Sequence, residues 1–235
     1  MSLATPRPPL IVLLAWNEAE CIGDTVNELR RVIPSADVLV VDDGSADATS
    51  VCARLAGAQV VRHPFNLGVA AAEATGLTFA QRSGYTRVIR MDGDGQHDPA
   101  SVKELLARVD EGADLVIGSR FAGVESFRST ALRRLGSSFL ASLVSTLSGT
   151  RITDPTSGFR AFSGAAISLF ATTFPHDYPE PESVLMAAKR GLTIREVPVR
   201  MRPRRTGQSS LTPIKSALYM AKVSLALVLE RMRRT

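Results

Sequence analysis

Five apolar runs, each followed by a stretch of helical period, limit what this chain can fold into. They are "LIVLLA" (10–15), "DVLVVDD" (37–43), "QVVRH" (59–63), "TRVIRMD" (86–92) and "ADLVIGS" (113–119). Helices are expected between them over Cys21 to Val32, Ala46 to Ala56, Leu67 to Arg82 and Pro99 to Val109. A strand that is apolar on both sides must be covered on both faces, and strands joined through helices run parallel. The pattern predicts an α/β chain, a Rossmann-like three-layer sandwich around a mostly parallel central sheet.

Past residue 120 the rhythm changes. A helix is expected from about Thr130 to Leu147, then an irregular "TDPTSGFRAF" and a loop "FPHDYPEPES". A helix to Arg190, a strand pair near Thr193 to Met201 and a long C-terminal amphipathic helix follow. Asp98-Pro99 and Thr212-Pro213 each read as an N-cap with proline at the first helical position. The division expected is a main domain over residues 1–205 and a lid end with the amphipathic helix over 206–235.

In open parallel sheets the ligand lies beyond the carboxyl ends of the strands. Polar residues collect there: Asn17 and Glu18, Asp42 and Asp43, Asp92 and Asp94, and Ser119 with Arg120. "MDGDGQHDP" (91–99) is the densest cluster. As a calcium loop counted from Asp92 it fails, because His97 stands where the turn glycine belongs and Lys103 where a bidentate Glu belongs. A zinc site is disfavoured too, since His63, His97 and His176 are scattered and no cysteine joins them. Two aspartates at alternate positions, with Gly93 and Gly95 permitting a turn, suit a hard divalent ion that keeps open positions for phosphate oxygens.

With 235 residues, 45% of them hydrophobic, the chain can bury one substantial core. Leu10 to Ala15 is too short for the apolar centre of a signal peptide and merges into Asn17 and Glu18, so it is expected as a strand. Cys21 and Cys52 make no metal spacing and suit ordinary packing in a reducing cytosol. The net charge of +5 is uneven: from Lys189 onward there are twelve Lys and Arg against two Glu, while the rest is net acidic. Such a tail fits anionic lipid or a phosphorylated substrate. Nucleic acid is not expected, because no binding motif and little aromatic interleaving accompany the basic residues.

Taken together, "AWNEAECIG", "VDDGSADAT", "MDGDGQHDP", "GSRF" and "DPTSGFRAF" resemble the family-2 glycosyltransferases of the GT-A fold, most of all the dolichol-phosphate or polyprenyl-phosphate sugar synthases. The resemblance spans roughly residues 10 to 205. It implies an inverting enzyme with a nucleotide-diphosphate sugar over the strand ends, its diphosphate held by Mg2+ or Mn2+. By that likeness Asp92, Asp94 and Gln96 contact the metal, with His97 near the sugar or phosphate. Ala15, Asn17, Glu18, Asp42, Asp43, Asn66, Gly68, Asp92 and Gly93 line the nucleotide-sugar site. Arg120, Arg133 and Arg134 correspond to arginines facing leaving-group or acceptor phosphates, although the latter two equally suit an exposed helix face. Asp154 and Arg160 would line the sugar and acceptor side.

The chain departs from the synthase pattern at "HDYPEPES", which offers Asp177, Glu180 and Glu182 between prolines. A hydroxyl acceptor needs a general base, for which Glu180 or Glu182 is the candidate. A lipid phosphate is already largely ionised near neutrality and needs none. "RMRPRRTGQSS" (200–210) resembles a lid that closes over phosphate, with Arg202, Arg205 and Ser209 as contacts and Gly207 allowing motion.

The apolar part of the last helix, Ala217 to Leu229, is too short to span a bilayer. Its face of Leu218, Ala221, Leu225, Val228 and Leu229 suits a membrane surface, a small membrane protein or a second copy of this chain. The leading expectation is transfer of one sugar to polyprenyl phosphate by a cytoplasmic protein peripheral to the cytosolic membrane face. Alternatives are transfer to a saccharide hydroxyl and a GT-A protein that binds nucleotide without turnover. A nucleotidyltransferase is disfavoured because no lysine-containing glycine loop follows the first strand.

Overall fold

The computed structural model describes residues 7–123, 131–175, 177–203 and 213–232. Its strands are β1 (Leu10–Ala15), β2 (Asp37–Asp42), β3 (Gln59–Arg62), β4 (Arg87–Asp92), β5 (Leu115–Ser119), β6 (Arg160–Ser163) and β7 (Ile194–Pro198). They form one sheet in the order β3-β2-β1-β4-β6-β5-β7. All neighbours are parallel except β6, which runs antiparallel between β4 and β5.

The continuous apolar runs reflect two cores. Leu10, Val12 and Leu14 of β1 face α3 (Val69–Arg82), α5 (Ala131–Ser148), α6 (Gly164–Thr172), α7 (Pro179–Lys189) and α8 (Pro213–Met232). Ile11, Leu13 and Ala15 face α1 (Ile22–Val32), α2 (Thr49–Leu55) and α4 (Val102–Asp110). A strand with alternate residues in opposite cores shows no polar face, which is why period-2 patterning is absent from the sequence.

Two expectations need correction. "TDPTSGFRAF" is not wholly irregular, because its last residues begin β6. Four residues are too few to display a period, and an arginine at the first position masks an interior strand. The expected strand pair over 193–201 is one strand, β7, parallel to β5, followed by an isolated bridge between Met201 and His97. Helix α6, capped by the Ser163 hydroxyl, is largely apolar and so gives little amphipathic signal.

The antiparallel β6 matters for the site. Arg160 lies opposite Arg90 and Ile117, so β6 starts at the edge where β4 and β5 finish. The loop before it is thereby delivered to the same edge. Asp98 caps as expected, accepting the Ala100 N–H at 3.1 Å ahead of a short 3-10 turn (Pro99–Ser101) that leads into α4. Thr212 lies outside the described residues. Helix α8 buries Val223 and Leu227 in the first core, while Leu225, Val228 and Leu229 stay exposed. Lys189 anchors the helix end, its Nζ donating to the Glu230 carbonyl at 2.7 Å. Among the described residues no helix is long and apolar enough to cross a membrane.

Candidate active site

The acid loop forms where β4 ends against β1. The Gly93 N–H donates to the Leu14 carbonyl at 2.8 Å, and a Cβ at Gly93 would stand 3.0 Å from that of Ala15. The close approach favours glycine there, since a side chain would have to push β1 or Ile22 aside by a few tenths of an ångström. The Asp94 carboxylate is buried and its Oδ1 accepts the Gln96 N–H at 3.0 Å, whereas the Asp92 carboxylate is 40% exposed. Among the described residues no three Asp, Glu, His or Cys side chains gather around one point. Two hard carboxylates fit a Mg2+ or Mn2+ ion only if phosphate oxygens and water complete its shell, which is the arrangement a diphosphate would supply.

His97 is turned into the interior. It is 3% exposed, stacks on Phe159 with ring centroids 4.8 Å apart, and its Nδ1 accepts the Asp92 backbone N–H at 3.0 Å. Burial lowers its pKa, partly opposed by the Asp92 charge. The neutral ring, with its proton on Nε2, therefore staples the loop. Gln96 is tied to the segment after β7: its Nε2 donates to the Arg202 carbonyl at 3.3 Å, and the Arg202 N–H donates to its carbonyl at 2.8 Å.

On the neighbouring strands, polar residues build the wall. Asp42 is fully buried, accepting the Ser45 N–H at 2.9 Å and the Ser50 hydroxyl. Asp43 accepts the N–H groups of Leu67 and Gly68, each at 2.8 Å, and pairs with His63 Nδ1 at 2.7 Å. Both carboxylates thus shape loops that border the sheet edge. Asn17, at a positive φ of 56°, accepts the Ala46 N–H through Oδ1 at 2.8 Å, and the Glu18 N–H binds the Thr49 hydroxyl at 2.8 Å. Asn66 is exposed, and Gly68 at the start of α3 has open space where a Cβ would stand. At Gly44, by contrast, a Cβ would lie 2.3 Å from the Phe65 carbonyl carbon, so the loops after β2 and β3 close only around glycine.

After β5, Arg120 is held by Asp154. Its Nε and Nη2 donate to the two carboxylate oxygens, each at 2.7 Å, and its backbone N–H donates at 3.0 Å. The Arg120 side chain keeps 25% exposure while Asp154 is fully buried. Burial disfavours the Arg120 charge, but Asp154, Asp92 and Glu180 together hold its pKa above the ordinary value. Behind this pair, Glu196 accepts the N–H groups of Thr153 and Asp154 at 2.8 and 2.9 Å. Burial pushes the Glu196 carboxyl up despite those bonds. Asp154 therefore holds Arg120 in place.

Two other arginines are placed differently from expectation. Arg160, 1% exposed, spends its guanidinium on the carbonyls of Ser157, Pro155 and Glu180 and on the Ser183 hydroxyl. It brackets the first turn of α7 and does not line a sugar pocket. Arg202 forks onto Glu28 at 2.7 and 2.8 Å and reaches Asp98 at 2.9 Å, so it anchors the chain after β7 to α1 and to the turn before α4. A guanidinium donates equally well to a carbonyl, a carboxylate or a phosphate, and sequence does not say which it meets. Arg205, Gly207 and Ser209, and the side chains of Arg133 and Arg134, lie outside the described residues.

Sequence reasoning missed Arg90. This residue of β4 is 2% exposed, with its Nη2 3.2 Å from Asp92 and 3.6 Å from Glu180, and its Nε 3.5 Å from Glu73. Burial opposes its charge, but Asp92, Glu73 and Glu180 outweigh that and raise its pKa. Glu73 on α3 is buried, and desolvation drives its carboxyl up against the pull of Arg90. Of the two acids in "YPEPE", the Glu180 side chain is 20% exposed and joins this cluster, whereas Glu182 is buried. The only hint in the sequence was a charge inside an otherwise apolar strand.

Known proteins share sequence and fold with this chain. The Glycosyl transferase family 2 model matches residues 10–172. Polyprenol monophosphomannose synthase of Mycolicibacterium smegmatis is 33% identical over 94% of this chain and 88% of its own length. Undecaprenyl-phosphate mannosyltransferase of Micrococcus luteus is 32% identical over 86% of this chain and 87% of its own. Among solved structures, glucosyl-3-phosphoglycerate synthase from Mycobacterium tuberculosis in complex with Mg2+ and uridine diphosphate superposes with a TM-score of 0.72. That match has 24% identity and covers 96% of this chain and 79% of that one, and it speaks for the GT-A fold. By the match across most of its sheet and by these relatives, the chain belongs to glycosyl transferase family 2 and is a glycosyltransferase.

Proposed function

We propose that this glycosyltransferase moves one sugar, with inversion, from a nucleotide-diphosphate sugar to a polyprenyl phosphate, using Mg2+ or Mn2+ held by Asp92 and Asp94. The observation that carries this reading is that the two aspartates at the end of β4 and the Asp154-held Arg120 after β5 lie at the same edge of the sheet. Acids that recruit a cation suit a departing diphosphate. A partly exposed guanidinium suits the phosphate of the acceptor. Near-full-length relatives that carry polyprenol-phosphate acceptors in their names support the acceptor class.

Glu180 fits the same choice. Its carboxylate lies 3.6 Å from the Arg90 guanidinium and is already engaged in that cluster. A lipid phosphate oxygen attacks without deprotonation, leaving Glu180 to orient donor or acceptor. The test is to incubate the protein with radiolabelled nucleotide sugars, Mn2+ and polyprenyl phosphate, then extract into organic solvent. Label is expected in the organic phase. Robust donor consumption with all label left in water would overturn the lipid reading.

For a lipid acceptor the protein must work at the membrane face. Ala221, Leu225, Val228, Leu229 and Met232 of α8 are exposed beside Lys222 and Arg231, the composition of an interfacial helix. Co-sedimentation with phosphatidylglycerol vesicles is expected, and Leu225→Glu with Leu229→Glu is expected to reduce the bound fraction severalfold. Equal binding by that variant would move the membrane contact elsewhere.

A further inference from the structure

We propose that Arg90 is a positioning residue that ties the donor's metal motif to the acid in the first turn of α7, holding Asp92 and Glu180 on one buried guanidinium. The inference rests on the reading of Asp92 and Asp94 as metal contacts. Residues 90 and 92 project from the same face of β4, as alternate positions of a strand must. The same nitrogen of Arg90 lies 3.2 Å from Asp92 Oδ1 and 3.6 Å from Glu180 Oε1, while its Nε lies 3.5 Å from Glu73. Glu73 closes the cluster at its buried end. Asp92 and Glu180, 40% and 20% exposed, are gripped from behind and open in front. A planar guanidinium fixes the directions of its partners as a flexible ammonium does not.

Stability alone is a weak reason for this arginine. Among the described residues its Nε and Nη1 are buried without a hydrogen-bond partner, a cost that an apolar side chain in the same strand would avoid. The surroundings are nevertheless built to admit it. A Cβ on Gly158 would fall 1.4 Å from Arg90 Nη1 and 2.6 Å from Cζ, so the glycine of "DPTSGFRAF" leaves room for the guanidinium. Arg160 completes the arrangement by holding the Glu180 carbonyl at 2.8 Å, which fixes the turn from which the Glu180 side chain reaches Arg90.

Two variants separate geometry from charge. Arg90→Lys keeps the charge and loses the fork. Arg90→Met with Glu73→Gln removes one charge of each sign, so the net charge around Asp92 is unchanged while the tie is lost. Thermal melts, binding of GDP and UDP in the presence of Mn2+ by calorimetry, and steady-state transfer would be measured on both. Both variants are expected to fold, with kcat about 30-fold lower and Mn2+-dependent nucleotide binding several-fold weaker, KM for the acceptor moving less. Either variant folding with kcat and nucleotide binding within twofold of the parent would overturn the proposal. Unfolding of both would assign Arg90 a purely structural role and overturn it as well. A parent protein that binds neither nucleotide with Mn2+ would instead overturn the metal reading beneath it.

Discussion

Asp94→Asn is expected to lower kcat/KM by about a thousandfold at saturating Mn2+ while leaving the melting temperature nearly unchanged. The asparagine keeps the Oδ1 acceptor that receives the Gln96 N–H at 3.0 Å, so the loop retains its shape. What disappears is one of two negative charges available to the cation. A metal that neutralises a departing diphosphate supplies several kcal/mol of transition-state stabilisation, and about 4 kcal/mol corresponds to a thousandfold. Asp94→Ala goes further, because it also strips a backbone N–H of its acceptor, and should add a measurable loss of stability. Steady-state kinetics against Mn2+ concentration, alongside thermal melts, check both. Activity of Asp94→Asn within threefold of the parent would remove Asp94 from the metal site.

The readable part of the site was set by topology. β1, β2, β4 and β5 are buried on both faces, so each appears as a mainly apolar run, broken in β4 by Arg90, whose end marks where polar residues collect. Asn17, Asp42, Asp92 and Arg120 were found in this way. Their partners were not legible, because a hydrogen bond between residues far apart in sequence leaves no local pattern. Arg120 and Asp154 are 34 residues apart, and Arg202 and Glu28 are 174 apart. Asp154 and Arg160 lie six residues apart in one motif, yet one is tied to Arg120 and the other brackets α7.

Arg90 shows the same limit from the other side. Within "TRVIRMD" it interrupts a strand that must be buried, and such an interruption implies partners without naming them. Those partners, Glu73 on α3 and Glu180 on α7, come from either side of β4 in the chain. His97 was expected near the sugar or phosphate, whereas it stacks on Phe159, which immediately precedes β6, the strand too short to be seen.

Asp154→Ala is expected to cost about 3 kcal/mol of stability, the usual scale for breaking a buried ion pair by removing one partner. It is also expected to reduce kcat/KM by roughly a hundredfold, on the order of losing one preorganised charged contact to the transition state. The carboxylate accepts three N–H donors from Arg120, and Glu196 fixes the backbone on which it stands. Without it, Arg120 would keep, among the described residues, the Thr156 hydroxyl at 2.9 Å as its hydrogen-bonding side-chain partner and would swing toward solvent. Asp154→Asn, retaining one acceptor, should fall between the parent and the alanine variant in both measurements. A double-mutant cycle with Arg120→Ala then separates the two roles of the pair. If Asp154 serves transfer by aiming Arg120, the double variant is no slower than Arg120→Ala alone. Additive losses would mean that Asp154 acts on the reaction by a route other than Arg120. Unchanged transfer despite a lowered melting temperature would confine the pair to holding the β5 loop against the segment before β6, and the acceptor phosphate would need another cation.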